Sequence, residues 1–173
     1  MEIYLVQHGA AYTKEEDPER HLNNDGKNQC QLTGKALKKL NVSFKLIVSS
    51  PKARSRQTAE IIAEEVGYSK NEIKVTEMLE PTRPAEDVIS YLKNFTDKNR
   101  ILLAGHLPSL GNISSELLSE SSQISLHFEM GGVCRIDIEQ LPTHTGDLRW
   151  FLMPEHLRLV AQTQPGRVRT KKG

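Results

Sequence analysis

Short apolar stretches recur along the chain, each rich in branched residues and bounded by polar or turn residues. Stretches of this length and composition are typical of buried strands. We predict six of them, at residues 3–6, 46–48, 73–75, 101–104, 133–138 and 148–152.

Most segments between these strands show helical periodicity, because apolar residues three or four positions apart give each segment one buried face. The predicted faces are Leu32, Ala36, Leu37 and Leu40; Ala59, Ile62, Ala63 and Val66; Val88, Ile89 and Leu92; and Leu110, Ile113 and Leu117. Strand and helix alternate through the first two-thirds of the chain, which predicts right-handed crossovers between parallel strands. The predicted fold class is α/β, a three-layer α/β/α sandwich with a mostly parallel central sheet whose last two strands form an edge.

The length of 173 residues fits one domain, because a single core commonly holds about 100–200 residues. We predict that domain at residues 1–160. After Leu159 the chain becomes polar and ends in Arg169, Lys171 and Lys172. Residues 161–173 are therefore expected to form a basic, flexible tail.

Composition narrows the classes of function. A net charge of +1 and an aromatic content of 5% argue against nucleic-acid binding, because phosphate contacts need clustered Lys and Arg and base stacking needs aromatic rings. No apolar run approaches the roughly 18 residues of a membrane span, and no basic segment precedes the first strand. We expect a cytoplasmic protein without nucleic-acid or membrane partners. Cys30 and Cys134 lie outside any metal-binding or disulfide spacing and are expected to be core residues.

Three of the predicted strands end in polar sequence. The first runs into Gln7 and His8, the second into a segment that carries Arg54, and the fourth into Gly105 and His106. Ligands of open parallel sheets bind beyond the carboxyl ends of the strands. If these strands are neighbours, two imidazoles and a guanidinium converge on one crevice.

Two helix beginnings are expected to add backbone N–H groups to this crevice. Ser50 followed by Pro51 has the pattern of an N-cap with proline at the first helical position, and Pro108 precedes Ser109 at the start of another helix. Such N-termini favour an anion. Cationic and donor groups around a histidine suit phosphoryl transfer, in which His8 is a candidate nucleophile.

Other interpretations of the same residues stay open at this point. A histidine followed by glycine, as at His8, is commonly a turn residue, and His106 after Gly105 is no more specific alone. A two-histidine metal site is a minority interpretation, because no carboxylate or cysteine stands at a ligand-like spacing beside either histidine. The other four histidines are interpreted as structural or surface residues: His21, His127, His144 and His156.

In combination, three motifs resemble those of the histidine phosphatase superfamily. They are Gln7-His8-Gly9, Ser50-Pro51-x-x-Arg54-x-x-Gln57-Thr58-Ala59 and Gly105-His106-x-Pro108. Members typically show Arg-His-Gly, Ser-Pro-x-x-Arg-x-x-Gln-Thr and a late Gly-His in this order. Further similarity lies in Arg20-His21-Leu22-x-x-x-Gly26, Leu79-Glu80-Pro81 and Gly131-Gly132-Val133. The chain looks like the small, phosphoglycerate-mutase-like phosphohistidine phosphatases of the SixA type, because it has no long insertion between Arg54 and His106.

The resemblance implies a role for each matched residue. His8 takes the phosphoryl group, Arg54 binds phosphate oxygens, and His106 donates to the same group. Gln7 stands where arginine is usual, so this phosphate-binding position brings an amide in place of a charged guanidinium. No metal or other cofactor is implied.

The implied activity is removal of phosphate from phosphohistidine of a protein, such as a histidine phosphotransfer domain, through a phospho-His8 intermediate. Larger members carry a carboxylate that protonates the leaving oxygen, and its candidates here are Glu77 and Glu80. Two alternatives stay open. One is a phosphatase of a small phosphorylated substrate, and the other is a non-catalytic module that binds phosphate or a phosphoprotein, which the replacement at Gln7 favours.

Overall fold

A central six-stranded sheet organises residues 1–163, the part of the chain that the computed structural model describes. The elements are β1 (Glu2–Gln7), α1 (Asn24–Lys39), β2 (Leu46–Ser49), α2 (Ala53–Val66), β3 (Lys74–Val75), α3 (Ala85–Leu92), β4 (Arg100–Gly105), α4 (Ser109–Leu118), β5 (Val133–Asp137), β6 (Asp147–Leu152) and α5 (Pro154–Gln162). Short 3-10 helices lie at Lys70–Glu72, Glu77–Leu79 and Lys93–Phe95. All six predicted strands are present. None of the helices described here has the length and hydropathy that a membrane-spanning helix needs.

The strands are ordered β3-β2-β4-β1-β5-β6 across the sheet. The first four in this order run parallel, whereas β5 is antiparallel to β1 and β6 is antiparallel to β5. The predicted sheet, mostly parallel with the last two strands at an edge, is therefore confirmed.

Helices cover both faces of the sheet, because alternate side chains of a strand point to opposite sides. Ile3 and Leu5 of β1 lie in a core with α3 and α4. Tyr4 and Val6 lie in a second core with α1, α2 and α5. The three-layer α/β/α sandwich is confirmed, and burial on both faces explains why β1 is an unbroken apolar run.

Three expectations from the pattern need correction or extension. Helix α5 was not predicted, because Leu157 is its one fully buried residue and its apolar face is therefore weak. It continues to Gln162, past the predicted end of the domain at residue 160, while residues 164–173 of the predicted tail lie outside the described residues. Leu40 is 43% exposed because it follows the end of α1, so it does not belong to the buried face.

Close backbone contact at two glycines fixes the loop after β1 against α1. A Cβ added at Gly26, in the first turn of α1, would lie 1.9 Å from the carbonyl oxygen of Ala10. A Cβ added at Gly9 would lie 2.6 Å from the Gly26 oxygen and 2.8 Å from the Cys30 sulfur. The loop packs directly on the helix because neither glycine carries a side chain.

We expect Gly26→Ala to lower the free energy of unfolding by about 3 kcal/mol, the upper end of the usual overpacking penalty. The backbone carbonyl of Ala10 cannot move away without displacing the loop after β1. Equilibrium urea unfolding of the two proteins measures the difference.

Gly111→Ala is the matched control, because Gly111 lies within α4 and its added Cβ would have its nearest neighbour at 3.8 Å. That variant is expected to gain about 0.5–1 kcal/mol from helix propensity. Equal stability of the two alanine variants would contradict the close packing described for Gly26.

Candidate active site

The carboxyl ends of β2, β4 and β1 lie side by side because these strands are neighbours in the sheet. In the register of β1 with β4, Gln7 lies opposite Gly105. The His8 N–H continues this pairing by donating to the Gly105 carbonyl oxygen at 3.1 Å. His8 and His106 therefore leave the sheet together, and their ring centroids are 5.0 Å apart.

The His8 ring is buried and held by one hydrogen bond at each nitrogen. Its Nδ1 lies 2.8 Å from the Gly9 carbonyl oxygen, which can only accept, so Nδ1 carries the proton. Its Nε2 accepts from Arg54 Nε at 3.1 Å. Burial is the largest effect and lowers the pKa of His8 to about 4. The Gly9 hydrogen bond, the next largest effect, opposes it, and the charges of Arg54 and Arg20 add smaller lowering contributions. His8 is therefore a neutral imidazole with its lone pair on Nε2.

His106 is more deeply buried, with 2% of its surface exposed. Its Nε2 lies 2.9 Å from Ser50 Oγ, and its Nδ1 has no hydrogen-bond partner among the described residues. Burial, then His8, then Arg54 and two further cations lower the pKa of His106 to about 3. A buried nitrogen without a partner is costly in a folded protein, so Nδ1 is available to a ligand atom.

Arg54 lies in the first turn of α2, and the next turn of that helix fixes the loops around it. Thr58 Oγ1 donates to the Arg54 carbonyl oxygen at 2.8 Å and accepts from the Gly9 N–H at 3.1 Å. Gln57 Oε1 accepts from the Leu22 N–H at 2.7 Å. The Arg-x-x-Gln-Thr spacing thus places the guanidinium on the site side of α2 and ties the loop after β1 to the same helix.

The predicted N-cap at Ser50 is wrong. Helix α2 begins at Ala53 with Lys52 at the N-cap position, and no side chain caps it. The Ser50 hydroxyl lies 2.9 Å from His106 Nε2, and its local bond is a long one from the Lys52 N–H, which precedes the first helical residue. At the second predicted helix start, α4 begins at Ser109 and Pro108 caps it without a side-chain hydrogen bond.

A cleft of about 420 Å³ opens beside Arg54 and is rich in cationic side chains. Arg20, Lys14 and Lys52 line it together with Arg54. Arg20 has a backbone φ of 54°, a conformation uncommon outside glycine, and its Nε donates to the Tyr12 carbonyl oxygen at 3.3 Å. Arg20 was not among the predicted site residues, although the Arg20-His21-Leu22 similarity was a signal for it. Two carboxylates, Glu19 and Glu80, also line the cleft, but the four cations outnumber them, so the cleft suits an anion.

The two candidate acids differ in position. Glu80 lines the cleft, and its Oε1 lies 3.0 Å from Lys52 Nζ. Glu77 lies in a 3-10 helix with an exposed side chain that pairs with Arg83 at 3.4 Å. Of the two, Glu80 is the carboxylate that borders the cleft. Within residues 1–163, no group of three or more His, Cys, Asp or Glu side chains is placed to hold a metal ion.

Gln7 is held by its backbone against the turn that precedes β5. Its N–H donates to the Gly132 carbonyl oxygen at 3.1 Å, and its carbonyl accepts from the Gly131 N–H at 3.0 Å. The side chain is buried, and its Oε1 has no hydrogen-bond partner in the described part of the chain. The Gln7 amide, next to His8 in sequence, thus keeps hydrogen-bonding capacity to spare.

We expect neither His8 nor His106 to titrate between about pH 5.5 and 8, the range in which an ordinary histidine changes charge. Arg54→Gln removes a cation and is expected to raise the pKa of His8. In the unfolded chain both rings bind protons with the ordinary histidine pKa of 6.5. The free energy of unfolding should therefore fall as the pH drops from about 6.5 toward about 4 for His8 and about 3 for His106. NMR titration of the ring protons measures both values.

Arg56→Gln is the control for this titration, because Arg56 lies on the same helix with an exposed side chain and pairs with Glu60 at 3.8 Å. It should leave the His8 titration unchanged. A midpoint for His8 near its ordinary value would contradict the burial and charge that we describe.

Known proteins are similar to this chain in sequence. The profile of the histidine phosphatase superfamily (branch 1) matches residues 3–81. The phosphohistidine phosphatase SixA homolog of Haemophilus influenzae is 30% identical over 137 residues, which cover 73% of this chain and 83% of that protein.

Solved structures share the fold. The protein histidine phosphatase SixA, solved with tungstate, superimposes with a TM-score of 0.79 at 23% identity over 91% of this chain and 99% of its own. The alpha-ribazole phosphatase of Shigella flexneri gives 0.72 at 18% identity over 89% and 97%. These matches confirm the phosphoglycerate-mutase-like fold expected from the motifs. The chain therefore belongs to the histidine phosphatase superfamily and is of the SixA type.

Proposed function

We propose that the protein is a phosphohistidine phosphatase that dephosphorylates a protein through a phospho-His8 intermediate. The observation that carries this proposal is the state of His8, a neutral buried imidazole whose Nε2 lone pair faces the Arg54 guanidinium. Neutral imidazole is a competent nucleophile near pH 7. Members of the superfamily are phosphatases, and the Haemophilus influenzae relative is named as a phosphohistidine phosphatase homolog.

The first step transfers the phosphoryl group to His8. The Nε2 lone pair attacks phosphorus while the P–N bond to the substrate imidazole breaks, and that electron pair stays on the leaving nitrogen, which takes a proton from water. In the second step a water oxygen attacks the phosphorus of phospho-His8. The P–Nε2 electron pair returns to His8, the water proton passes to solvent, and inorganic phosphate leaves.

Cations of the cleft stabilise the oxygens of the transferring group. Catalysis of phosphoryl transfer depends mainly on positioning and charge stabilisation. Arrival of the phosphoryl group exchanges the bond between Arg54 and His8 Nε2 for bonds from Arg54 to phosphoryl oxygens. Arg20 lines the same cleft and supplies a second guanidinium, while His106 contributes its Nδ1.

Compared with the arginine that is usual at this position, Gln7 lowers the rate of phosphoryl transfer without abolishing it. A charge-assisted hydrogen bond contributes about 1.5–3 kcal/mol, compared with about 1 for a neutral one, so the amide removes about 1–2 kcal/mol of stabilisation. This corresponds to about a tenfold slower reaction. Arg20 offsets part of that loss, because its charge already reaches both imidazoles and lowers the pKa of each.

A phosphohistidine substrate fits the weak provision of an acid in this cleft. Glu80 borders the cleft, but it is paired with Lys52. Transfer between two imidazoles exchanges like for like and demands little protonation of the leaving atom. A phosphomonoester releases an alkoxide and demands more. The mechanism needs no metal or other cofactor, since imidazole and guanidinium groups supply nucleophile and charge.

Exposed apolar side chains favour a protein substrate over a small one. Tyr12 follows β1, Leu107 follows His106, and Met130 precedes Gly131, whose N–H binds the Gln7 carbonyl. We call Tyr12, Leu107 and Met130 the apolar rim. All three lie at the carboxyl ends of the parallel strands, as the site does. There they can contact a phosphorylated protein such as a histidine phosphotransfer domain. The cytoplasmic location expected from the sequence stays a prediction.

We expect the purified protein to release phosphate from a phosphohistidine-bearing domain in the presence of EDTA, and His8→Ala to abolish that release. Brief incubation with ³²P-labelled substrate and acid-free gel analysis should show label on wild-type protein and none on His8→Ala. Release of inorganic phosphate over time measures turnover.

His21→Ala is the matched control, since His21 is exposed and pairs with Asp17 at 2.8 Å. It should retain turnover. Full activity of His8→Ala would overturn the mechanism. Saturable tungstate binding without turnover in wild type would show a non-catalytic phosphate-binding module instead.

We expect the double variant Leu107→Ser/Met130→Ser to lose about tenfold in kcat/KM on the phosphohistidine domain, through a higher KM, because interface energy concentrates in a few apolar side chains. Activity on phosphoramidate, which is too small to contact the apolar rim, should stay unchanged. Steady-state kinetics with both substrates make the comparison.

Leu40→Ser/Leu148→Ser serves as its control. These leucines are 43% and 41% exposed, similar to Leu107 at 38% and Met130 at 43%. They lie at the other end of the sheet, near the amino ends of the parallel strands. Equal losses in the two double variants would argue against docking at the apolar rim, and so would equal losses on the two substrates.

A further inference from the structure

The Ser50 hydroxyl is fully buried between two partners of different kinds. Its oxygen lies 2.9 Å from His106 Nε2 and accepts a long hydrogen bond from the Lys52 N–H at 3.4 Å. A hydroxyl has one hydrogen to donate and two lone pairs that accept. Because Lys52 N–H can only donate, the Ser50 hydrogen is left for another acceptor.

Counting donors and acceptors distinguishes the two neutral forms of His106. With the proton on Nε2, the ring would donate to Ser50, and both the Ser50 hydrogen and the His106 Nδ1 lone pair would stay buried without partners. With the proton on Nδ1, Ser50 donates to Nε2, and only the Nδ1–H stays unpaired among the described residues. The second form leaves fewer buried polar groups unsatisfied, which is strongly preferred.

We propose that Ser50 is a positioning residue that holds His106 as its Nδ1–H tautomer, so that this ring presents a donor to the phosphoryl oxygens. Phosphoryl oxygens without protons can only accept, and a lone pair in that place would repel them. The proposal deepens the proposed function of the same site and rests on it for the identity of the ligand.

The backbone around Ser50 fixes its hydroxyl in place. The Ser50 N–H donates to the Ala104 carbonyl oxygen at 3.1 Å, and its own carbonyl accepts from Ser49 Oγ at 2.9 Å. Ser55 Oγ donates to the same Ala104 oxygen at 2.7 Å. β4 therefore anchors both His106, which follows it, and the serine that orients the ring.

The two histidines of the site thus share one tautomer but serve opposite purposes. At His8 a carbonyl oxygen accepts from Nδ1 and leaves the Nε2 lone pair for attack on phosphorus. At His106 a hydroxyl donates to Nε2 and leaves Nδ1–H for hydrogen bonding. One neutral ring is a nucleophile and the other is a donor, without any need for a charged imidazole.

A long-range ¹H–¹⁵N NMR spectrum of the ¹⁵N-labelled full chain at neutral pH tests the tautomer directly. His106→Asn identifies the His106 signals by their loss. We expect the wild type to show the Nδ1–H pattern at His106 and Ser50→Ala to lose it in favour of Nε2–H or a mixture. Ser50→Thr, which keeps a hydroxyl, should restore the wild-type pattern.

Tungstate binding and turnover should depend on the tautomer of His106. Ser50→Ala is expected to weaken tungstate binding about tenfold and to slow turnover about tenfold on both the phosphohistidine domain and phosphoramidate, because one neutral hydrogen bond is misdirected. Ser114→Ala is the control, since Ser114 is also buried but donates to the Leu110 carbonyl within α4. It should leave the His106 pattern and tungstate affinity unchanged.

An Nε2–H pattern in the wild type would overturn the proposal, and so would an unchanged pattern and tungstate affinity in Ser50→Ala. If circular dichroism shows that Ser50→Ala does not fold, the wild-type spectrum still decides, because it needs no variant. Absence of turnover in the wild type would refute the proposed function alone, since the tautomer and tungstate measurements do not depend on turnover.

Discussion

The site depends on the parallel pairing of β1 with β4, because this pairing alone brings two histidines from distant parts of the chain to one sheet edge. Gln7 opposite Gly105 fixes the register, and the His8 N–H extends it by bonding to Gly105. In a sheet with both faces buried, a slip of one residue would move every β1 side chain to the wrong face. The hydrophobic core and the geometry of the candidate site therefore share one constraint.

Burial determines the charge state of the two imidazole rings. A charged imidazole loses hydration when it is buried, and neighbouring cations disfavour it further, so both rings stay neutral while the positive charge resides on guanidinium groups. Arg54 keeps its charge although burial, followed by repulsion from Arg20, lowers its pKa. An anion arriving in the cleft relieves that repulsion, and the same arrangement that destabilises the free site therefore favours binding of phosphate.

Local sequence patterns were sufficient to predict the strands, four helices and the convergence of three strand ends. The spacing of apolar residues and the content of branched side chains both depend directly on which residues are buried. These patterns failed where a tertiary partner decided the outcome. Ser50 has the local pattern of an N-cap, yet its hydroxyl binds a ring 56 positions away in sequence. Arg20 enters the cleft from a loop, and α5 has too few buried residues to give a strong period. The strand ends alone suggested His8 as a nucleophile, the motif resemblance supplied the roles of Arg54 and His106, and all three roles stay proposals.

Charge balance explains why Gln7 is compatible with a phosphatase. A dianionic phosphoryl group is neutralised by two guanidinium groups, and Arg54 and Arg20 both line the cleft. A third guanidinium in place of Gln7 would strengthen binding of the anion, but it would add a buried cation beside His8 and increase repulsion in the unliganded site. The Gln7 amide instead offers hydrogen bonding without charge, and its buried Oε1 has no partner among the described residues. Transfer between two imidazoles needs less stabilisation of a leaving group than ester cleavage. The substrate proposed here is therefore the one that best tolerates the loss of this arginine.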